Sequence, residues 1–479
     1  MRRTPRLVGV AVIAGVAAVV VLSNLGLAPI PAGLVAAGPS ATPANAATTV
    51  APPPSDAPSD APTDPGPASP SAGPPSAAPS GPAPSPAASP EPAVTPTPQP
   101  SEDPLLGGIP GGHLQARLDR LRERLDIPGV SVAILWDDGR AWAGASGLRD
   151  VKRDQPVLTG TAFALASVSK TLTAAVVLQL VDEGRLALDD RVAPLLPGYR
   201  LHPRITVREL LDHTSGLPDY FLNARIDRPL QSEPDAEWTA QGAWDYVLPP
   251  RKRFLPGKRW YYSNTNYLLL GELVEAVTGR PLAREVRSRL LDPLALDSAW
   301  YQGEEEPRAD GTQAYRIVDL ADGGVRVARV APRSDVMPFR SVVTAAGGAG
   351  SVAMTAVDAA RWMRAFAGGE VVAPASYRAM LADVSITVRM GAEMPYGLGI
   401  QAVPLARRPA LGHSGRFLGF RNVVRYLPAH GVTIAVLTNQ GDRDPSNVAA
   451  KLLDVILPPL PAEPVDPERD GKLRPSPYP

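Results

Sequence analysis

The chain has no cysteine among its 479 residues, and only 5 histidines, 7 tryptophans and 7 phenylalanines. Without cysteine there are no disulfides, no thiolate catalysis and no cysteine-based zinc site, and the lipid-modified cysteine of a bacterial lipoprotein is excluded. The histidines stand singly and no His-Glu-x-x-His occurs, so no metal or other cofactor is expected. An excess of one charge is missing too. The 48 basic and 48 acidic side chains cancel, and no basic stripe provides the footprint of a nucleic-acid binder. Nor is there an α/β-hydrolase elbow. The near misses to Gly-x-Ser-x-Gly are Gly144-Ala145-Ser146-Gly147-Leu148 and Gly412-His413-Ser414-Gly415-Arg416.

What is present begins at the N-terminus. MRRTPR is positive, and LVGVAVIAGVAAVVVL (7–22) is uncharged and apolar. Ala44-Asn45-Ala46 offers an A-x-A cleavage site, which makes 1–46 a signal peptide. The apolar stretch continues to Ile30, and a membrane span needs roughly 20 residues, so an uncleaved anchor fits equally well. Either way the remainder is expected outside the cytoplasm, secreted or held on the outer face of the membrane. Residues 47–106 are almost entirely Pro, Ala and Ser with a few acids and cannot bury a core. In polyproline II such a spacer reaches on the order of 170 Å, enough to carry a catalytic head across a cell wall. The tail 462–479 is expected to be disordered for the same reason. Between them, 107–461 has ordinary globular composition and enough length for two lobes.

Within this body, HLQARLDRLRERLDIPG (113–129) has helical spacing and stops at Pro-Gly. GVSVAILWDDGRAWAGASGLRD then reads as strand, Asp-Asp-Gly turn, strand. TAVDAARWMRAFAGG (355–369) is a helix with a glycine stop, and 447–456 is another. YGLGIQAV, GFRNVVRYLP and GVTIAVLTN read as strands, while 220–345 mixes short helices and Pro-rich loops. The expected fold is α+β: one antiparallel sheet built from both ends of the domain, flanking helices, and a helical lobe from the middle.

ALASVSKTLTAAVVLQLVDEG places Ser167 and Lys170 three residues apart at the start of a long helix. Positions i and i+3 share a face, so hydroxyl and ammonium enter the same space. Alone this pattern is weak. Two further stretches carry Tyr262-Ser263-Asn264 before an apolar helix and His413-Ser414-Gly415 at the start of a strand pair. Ser-x-x-Lys, then Tyr-x-Asn, then Lys/His-x-Gly is an ordered set, and the chain resembles the serine beta-lactamase and penicillin-binding-protein superfamily, especially its class C-like branch. LLDHTSGLPDY (210–220) and AAGGAGSVAMTAVDAARW (345–362) also look like this family. The resemblance covers the body but neither the spacer nor the tail.

The resemblance implies roles residue by residue. Ser167 is the acylated nucleophile. Lys170 and Tyr262 are the basic groups, the Tyr262 phenolate favoured by the Lys170 charge, and either can be the general base. Asn264 orients Lys170 and the substrate amide. The backbone N–H groups of Ser167 and Arg416 form the oxyanion hole. Gly415 lets the strand approach the substrate. His413 and Ser414 complete the binding strand, with a neutral His413 facing a substrate carboxylate where relatives have lysine. The Arg416 side chain either supplies the missing cation or points to solvent. Ser215 reads as turn chemistry and His213 as a buried hydrogen-bonding group. The implied function is a serine hydrolase of the D-alanyl-D-alanine carboxypeptidase type, acting on a D-alanyl peptide. A beta-lactamase or an esterase is the alternative, and an inactive wall-tethered penicillin-binding or sensor module the second. A monomer with no nucleic-acid partner is expected.

Overall fold

Near-continuous apolar runs in the first and last strands place them at the centre of the computed structural model, which describes residues 111–247, 254–320, 324–330 and 336–459. The expected leader or anchor, the spacer and the tail lie outside these residues. In chain order the elements that frame the site are α1 (Gly111–Arg124), β1 (Gly129–Trp136), β2 (Ala141–Asp150), β3 (Gln155–Pro156), α2 (Ser169–Asp182), α3 (Asn264–Thr278), α4 (Ala356–Gly368), α5 (Pro374–Arg389), β4 (Leu411–Phe417), β5 (Phe420–Leu427), β6 (Val432–Thr438) and α6 (Ser446–Ile456).

The six strands form one antiparallel sheet in the order β3-β2-β1-β6-β5-β4, so the first and last segments of the domain meet at its centre. β1 pairs with β6 in register from Val130↔Thr438 to Trp136↔Val432. The side-chain period of two sends Val130, Val132, Ile134 and Trp136 to one face, where they meet Leu114, Leu118 and Leu121 of α1 and Leu452 and Leu453 of α6. Ala133, Ala435 and Leu437 go to the other face and pack with Trp362 and Phe366 of α4. Both faces of β1 and β6 are buried, which is why these strands are apolar but for Ser131, Thr433 and Thr438.

The expected sheet from both ends is therefore present. The second face joins a core that runs without interruption through α2 and α3 into the helical region, so the two expected lobes share one interior. Two segments differ from the sequence reading. YGLGIQAV forms only the isolated bridges Tyr396↔Gln401 and Gln401↔Gly412, because Gly399, at φ +83°, turns the chain back. Inside 220–345, Tyr315–Asp319 and Val325–Arg329 pair as an antiparallel hairpin.

Candidate active site

The long apolar helix α2 begins in the core, and a short 3₁₀ turn, Ala166–Val168, carries the chain into it. Ala166 has φ +51°, an uncommon conformation for a residue with a side chain. This turn leaves Ser167 partly exposed while its neighbours are buried. Lys170 follows on the first turn of α2, and its side chain is fully enclosed.

Three groups surround the Lys170 amine. Its Nζ lies 3.0 Å from Ser167 Oγ, 2.8 Å from Asn264 Oδ1 and 2.8 Å from the Ala349 carbonyl oxygen. The Ala349 carbonyl arrives on the glycine-rich stretch 345–351, where a Cβ on Gly348 would sit 2.5 Å from the Tyr267 carbonyl oxygen. Only glycine permits that approach. Asn264 is the first residue of α3, and its Nδ2 donates to Asp219 Oδ2 at 2.8 Å. The Lys170 Nζ also lies 5.2 Å from the Tyr262 ring centroid.

Burial lowers the Lys170 pKa from 10.5 to about 7, against an opposing pull from the Asp219 carboxylate. That value matters stereochemically. A neutral amine has two hydrogens and one lone pair. The Asn264 and Ala349 oxygens can only accept, so they take both hydrogens and leave the lone pair on Ser167 Oγ. A base poised near neutrality thus faces the hydroxyl.

Tyr262 behaves differently from the sequence expectation. Burial pushes its phenol well above the usual value, with the Tyr396 phenol adding to the rise and a hydrogen bond to Ser167 opposing it. The group facing Ser167 is therefore a neutral phenol.

β4 closes the other side of the site. A Cβ on Gly415 would stand 2.1 Å from the Leu165 carbonyl oxygen, so this strand meets the Ser167 turn only because residue 415 has no side chain. Ser414 donates to Gln401 Oε1 from its N–H at 3.0 Å and from its hydroxyl at 3.2 Å, and Arg425 Nη2 donates to the same oxygen at 2.6 Å. His413 is fully buried and turned inward. Its Nδ1–H meets the Ser414 carbonyl oxygen at 2.6 Å, which leaves Nε2 to accept from the Tyr396 hydroxyl at 3.0 Å. Burial, then the Lys170 charge, holds its pKa well below 6.5. The imidazole stays neutral and does not line the open cavity.

That cavity, about 570 Å³, is lined by Ser167, Asp219, Tyr262, Asn264, Ser414 and Arg416 at its reactive end. Phe221, Leu222, Trp260, Met390 and Met394 give it an apolar wall, with Arg259 and Glu393 also on its lining. Arg416 is half-buried, and that burial lowers its pKa.

Ser215 and His213 serve the scaffold. Ser215 Oγ donates to Asn266 Oδ1 at 2.6 Å, and His213 Nδ1 accepts from Asn266 Nδ2 at 2.9 Å and from the Ser263 N–H at 3.3 Å. Together they fix the approach to Tyr262-Ser263-Asn264. The sequence reading assigned nothing to Asp219, Tyr396 or Gln401. Asp219 stands in the quoted LPDY, and an acid just before a short helical turn is a capping signal; Tyr396 and Gln401 offered none.

Comparison with known proteins is consistent with this geometry. The Beta-lactamase family profile matches residues 114–456. Penicillin-binding protein 4 of Amycolatopsis lactamdurans is 32% identical over 345 residues, covering 69% of this chain and 85% of the relative. Among solved structures, the D-amino acid amidase of Ochrobactrum anthropi SV3 superposes with a TM-score of 0.61 at 23% identity, over 72% of this chain and 97% of that one. A D-stereospecific amidohydrolase from Streptomyces sp. gives 0.58 at 26% identity, over 71% and 98% respectively.

Proposed function

This chain belongs to the beta-lactamase family of serine hydrolases, and from that premise we propose that it forms an acyl-enzyme on Ser167 and acts on D-amino-acid peptides in the manner of a D-alanyl-D-alanine carboxypeptidase. The observation that carries the reading is the placement of the enclosed Lys170 amine, 3.0 Å from Ser167 Oγ with the Asn264 and Ala349 oxygens, both acceptors, at 2.8 Å. Lys170 takes the Ser167 proton as Oγ bonds to the carbonyl carbon. The oxyanion is assigned to the backbone N–H groups of Ser167 and Arg416, a contribution of ~10²–10³ in rate per donor. The tetrahedral species collapses as the leaving amine takes a proton from the neutral Tyr262 phenol, which recovers one from the Lys170 ammonium. Water then attacks the ester with the same groups in reverse.

Arg416 on the cavity lining supports a substrate ending in a carboxylate. The names of the relatives support the same class, since they include a penicillin-binding protein and enzymes acting on D-amino-acid amides. A second reading, an esterase or amidase for uncharged substrates, is favoured by the inward, neutral His413 and by the wall of Phe221, Trp260, Met390 and Met394. The test compares kcat/KM for a peptide ending in D-Ala-D-Ala with a matched neutral ester, in wild type and Arg416→Ala. A selective loss on the peptide supports the carboxypeptidase reading; equal effects with ester turnover dominant overturn it in favour of the esterase. We also propose that the head works outside the cytoplasm behind its Pro/Ala/Ser-rich spacer. Fractionation of expressing cells checks this, and a purely cytosolic pool contradicts it.

A further inference from the structure

Asn264 is held at both ends by groups of opposite chemistry. Its carbonyl oxygen meets the Lys170 amine at 2.8 Å and its amide nitrogen meets Asp219 Oδ2 at 2.8 Å. An amine hydrogen needs an acceptor and a carboxylate can only accept, so the orientation of this amide is fixed by its neighbours. The other Asp219 oxygen caps the 3₁₀ turn Tyr220–Leu222 by accepting from the Phe221 N–H at 3.0 Å. Only 7% of Asp219 is exposed, and it lines the reactive end of the cavity. A buried carboxylate so close to the reacting groups is costly unless it serves them.

We infer that Asp219 is a positioning residue of this site: its carboxylate holds the Asn264 amide with the carbonyl end on Lys170, and it supplies the anion that the buried amine feels. The inference rests on the Ser167–Lys170 reading above. Without Asp219 the Asn264 amide can turn over and present an N–H donor to Lys170, whose lone pair would then leave Ser167. The charge acts separately from the orientation. An anion one amide away favours the ammonium, in opposition to burial. Other groups around Lys170 are Tyr262 and Tyr267, whose rings face its Nζ, and His213 and His413, whose own ionisation its charge opposes. Burial holds both imidazoles neutral and both phenols protonated around neutral pH. Asp219 is therefore the acid among them: burial raises its pKa, while the hydrogen bonds it accepts from Asn264 and Phe221 and the Lys170 charge favour its carboxylate form.

Two substitutions separate the functions. Asp219→Asn keeps an acceptor for the Asn264 Nδ2 and removes the anion. Asp219→Ala removes both. The measurement is the second-order rate of acylation by a fluorophosphonate probe between pH 5 and pH 9, followed by intact mass, with melting temperatures recorded for each variant. Asp219→Asn should shift the acid limb to lower pH by at least half a unit, because Lys170 then loses its proton more readily. Asp219→Ala should lose at least tenfold in rate on the plateau, where Lys170 is neutral in every variant, and Asp219→Asn should retain most of that plateau. A purely structural role would lower melting temperature and plateau while leaving the limb in place. An unmoved or upward-shifted limb in Asp219→Asn, or a wild-type plateau in Asp219→Ala, overturns the inference. Failure of wild type to acquire an adduct on Ser167 overturns the underlying reading instead, so the two failures are told apart.

Discussion

Replacing Lys170 by methionine fills nearly the same volume with a chain that cannot ionise, and the pH dependence of its effect on stability follows from the burial of the amine. Folded Lys170 releases its proton near pH 7, whereas a lysine in the unfolded chain does so near 10.5. Between those limits the unfolded chain binds one more proton than the folded one. Stability contributed at this position therefore rises with pH across the window, by about 1.4 kcal/mol per pH unit where both limits are distant. Because the folded group is half-titrated at pH 7, the gain from pH 7 to pH 9 is about 2 kcal/mol. Water does not screen the amine, since the side chain is fully buried. Methionine has its own fixed cost: the Ala349 and Asn264 oxygens lose a donor, about 1–3 kcal/mol for each acceptor left unmet. That cost does not depend on the protonation of residue 170 and cancels between pH values. The assay is urea denaturation of wild type and Lys170→Met at pH 7, 8 and 9, analysed as the difference in unfolding free energy. The difference should move by about 2 kcal/mol in favour of wild type as pH rises. A pH-independent difference, or one that falls with rising pH, would refute the claim that burial holds this amine near neutrality.

Further expectations concern the neighbours. Tyr262→Phe should retain the fold and slow acylation on the order of a hundredfold or more, because the phenol is the proposed proton donor; stopped-flow acylation checks it. Gly415→Ala must push β4 away from the Leu165 carbonyl, a distortion of about 1–3 kcal/mol that should lower both melting temperature and acylation rate. His413→Lys should lower the melting temperature without improving kcat/KM for anionic substrates, since the new ammonium would be buried near Lys170 and not in the cavity. Ser215→Ala should leave probe labelling intact while destabilising the start of α3, where Ser215 holds Asn266.

Much of this was legible because it is local or periodic. Near-continuous apolar runs in 129–136 and 432–438 reveal strands buried on both faces, and the Asp-Asp-Gly turn closes the first hairpin. Ser167 and Lys170 are joined by helical spacing alone, while Tyr262 and Asn264 depended on the resemblance, since nothing in composition brings Lys170 and Asn264, 94 residues apart, together. The strand period also carried an unused signal. His413 and Gly415 are two residues apart and share a face, and Gly415 meets the Ser167 turn, so His413 points into the interior beside it. The pairing of 315–319 with 325–329 was hidden by the Pro-rich surroundings of two short alternating runs. The Tyr262 phenol departs from the expectation because sequence displays a neighbouring lysine but not the desolvation that raises the phenol. Asp219, Tyr396 and Gln401 sit in turns with no period, and only the fold brings them to the site.

The central claim is that Ser167 is the nucleophile and a neutral Lys170 its base, and intact-mass spectrometry of the purified chain with a fluorophosphonate probe tests it most directly. The account predicts one adduct, mapped to Ser167, absent in Ser167→Ala, and formed about tenfold more slowly for each pH unit below 7. An adduct that persists in Ser167→Ala, that maps to Ser215 or Ser263, or that forms at a rate indifferent to pH below 7 would contradict it.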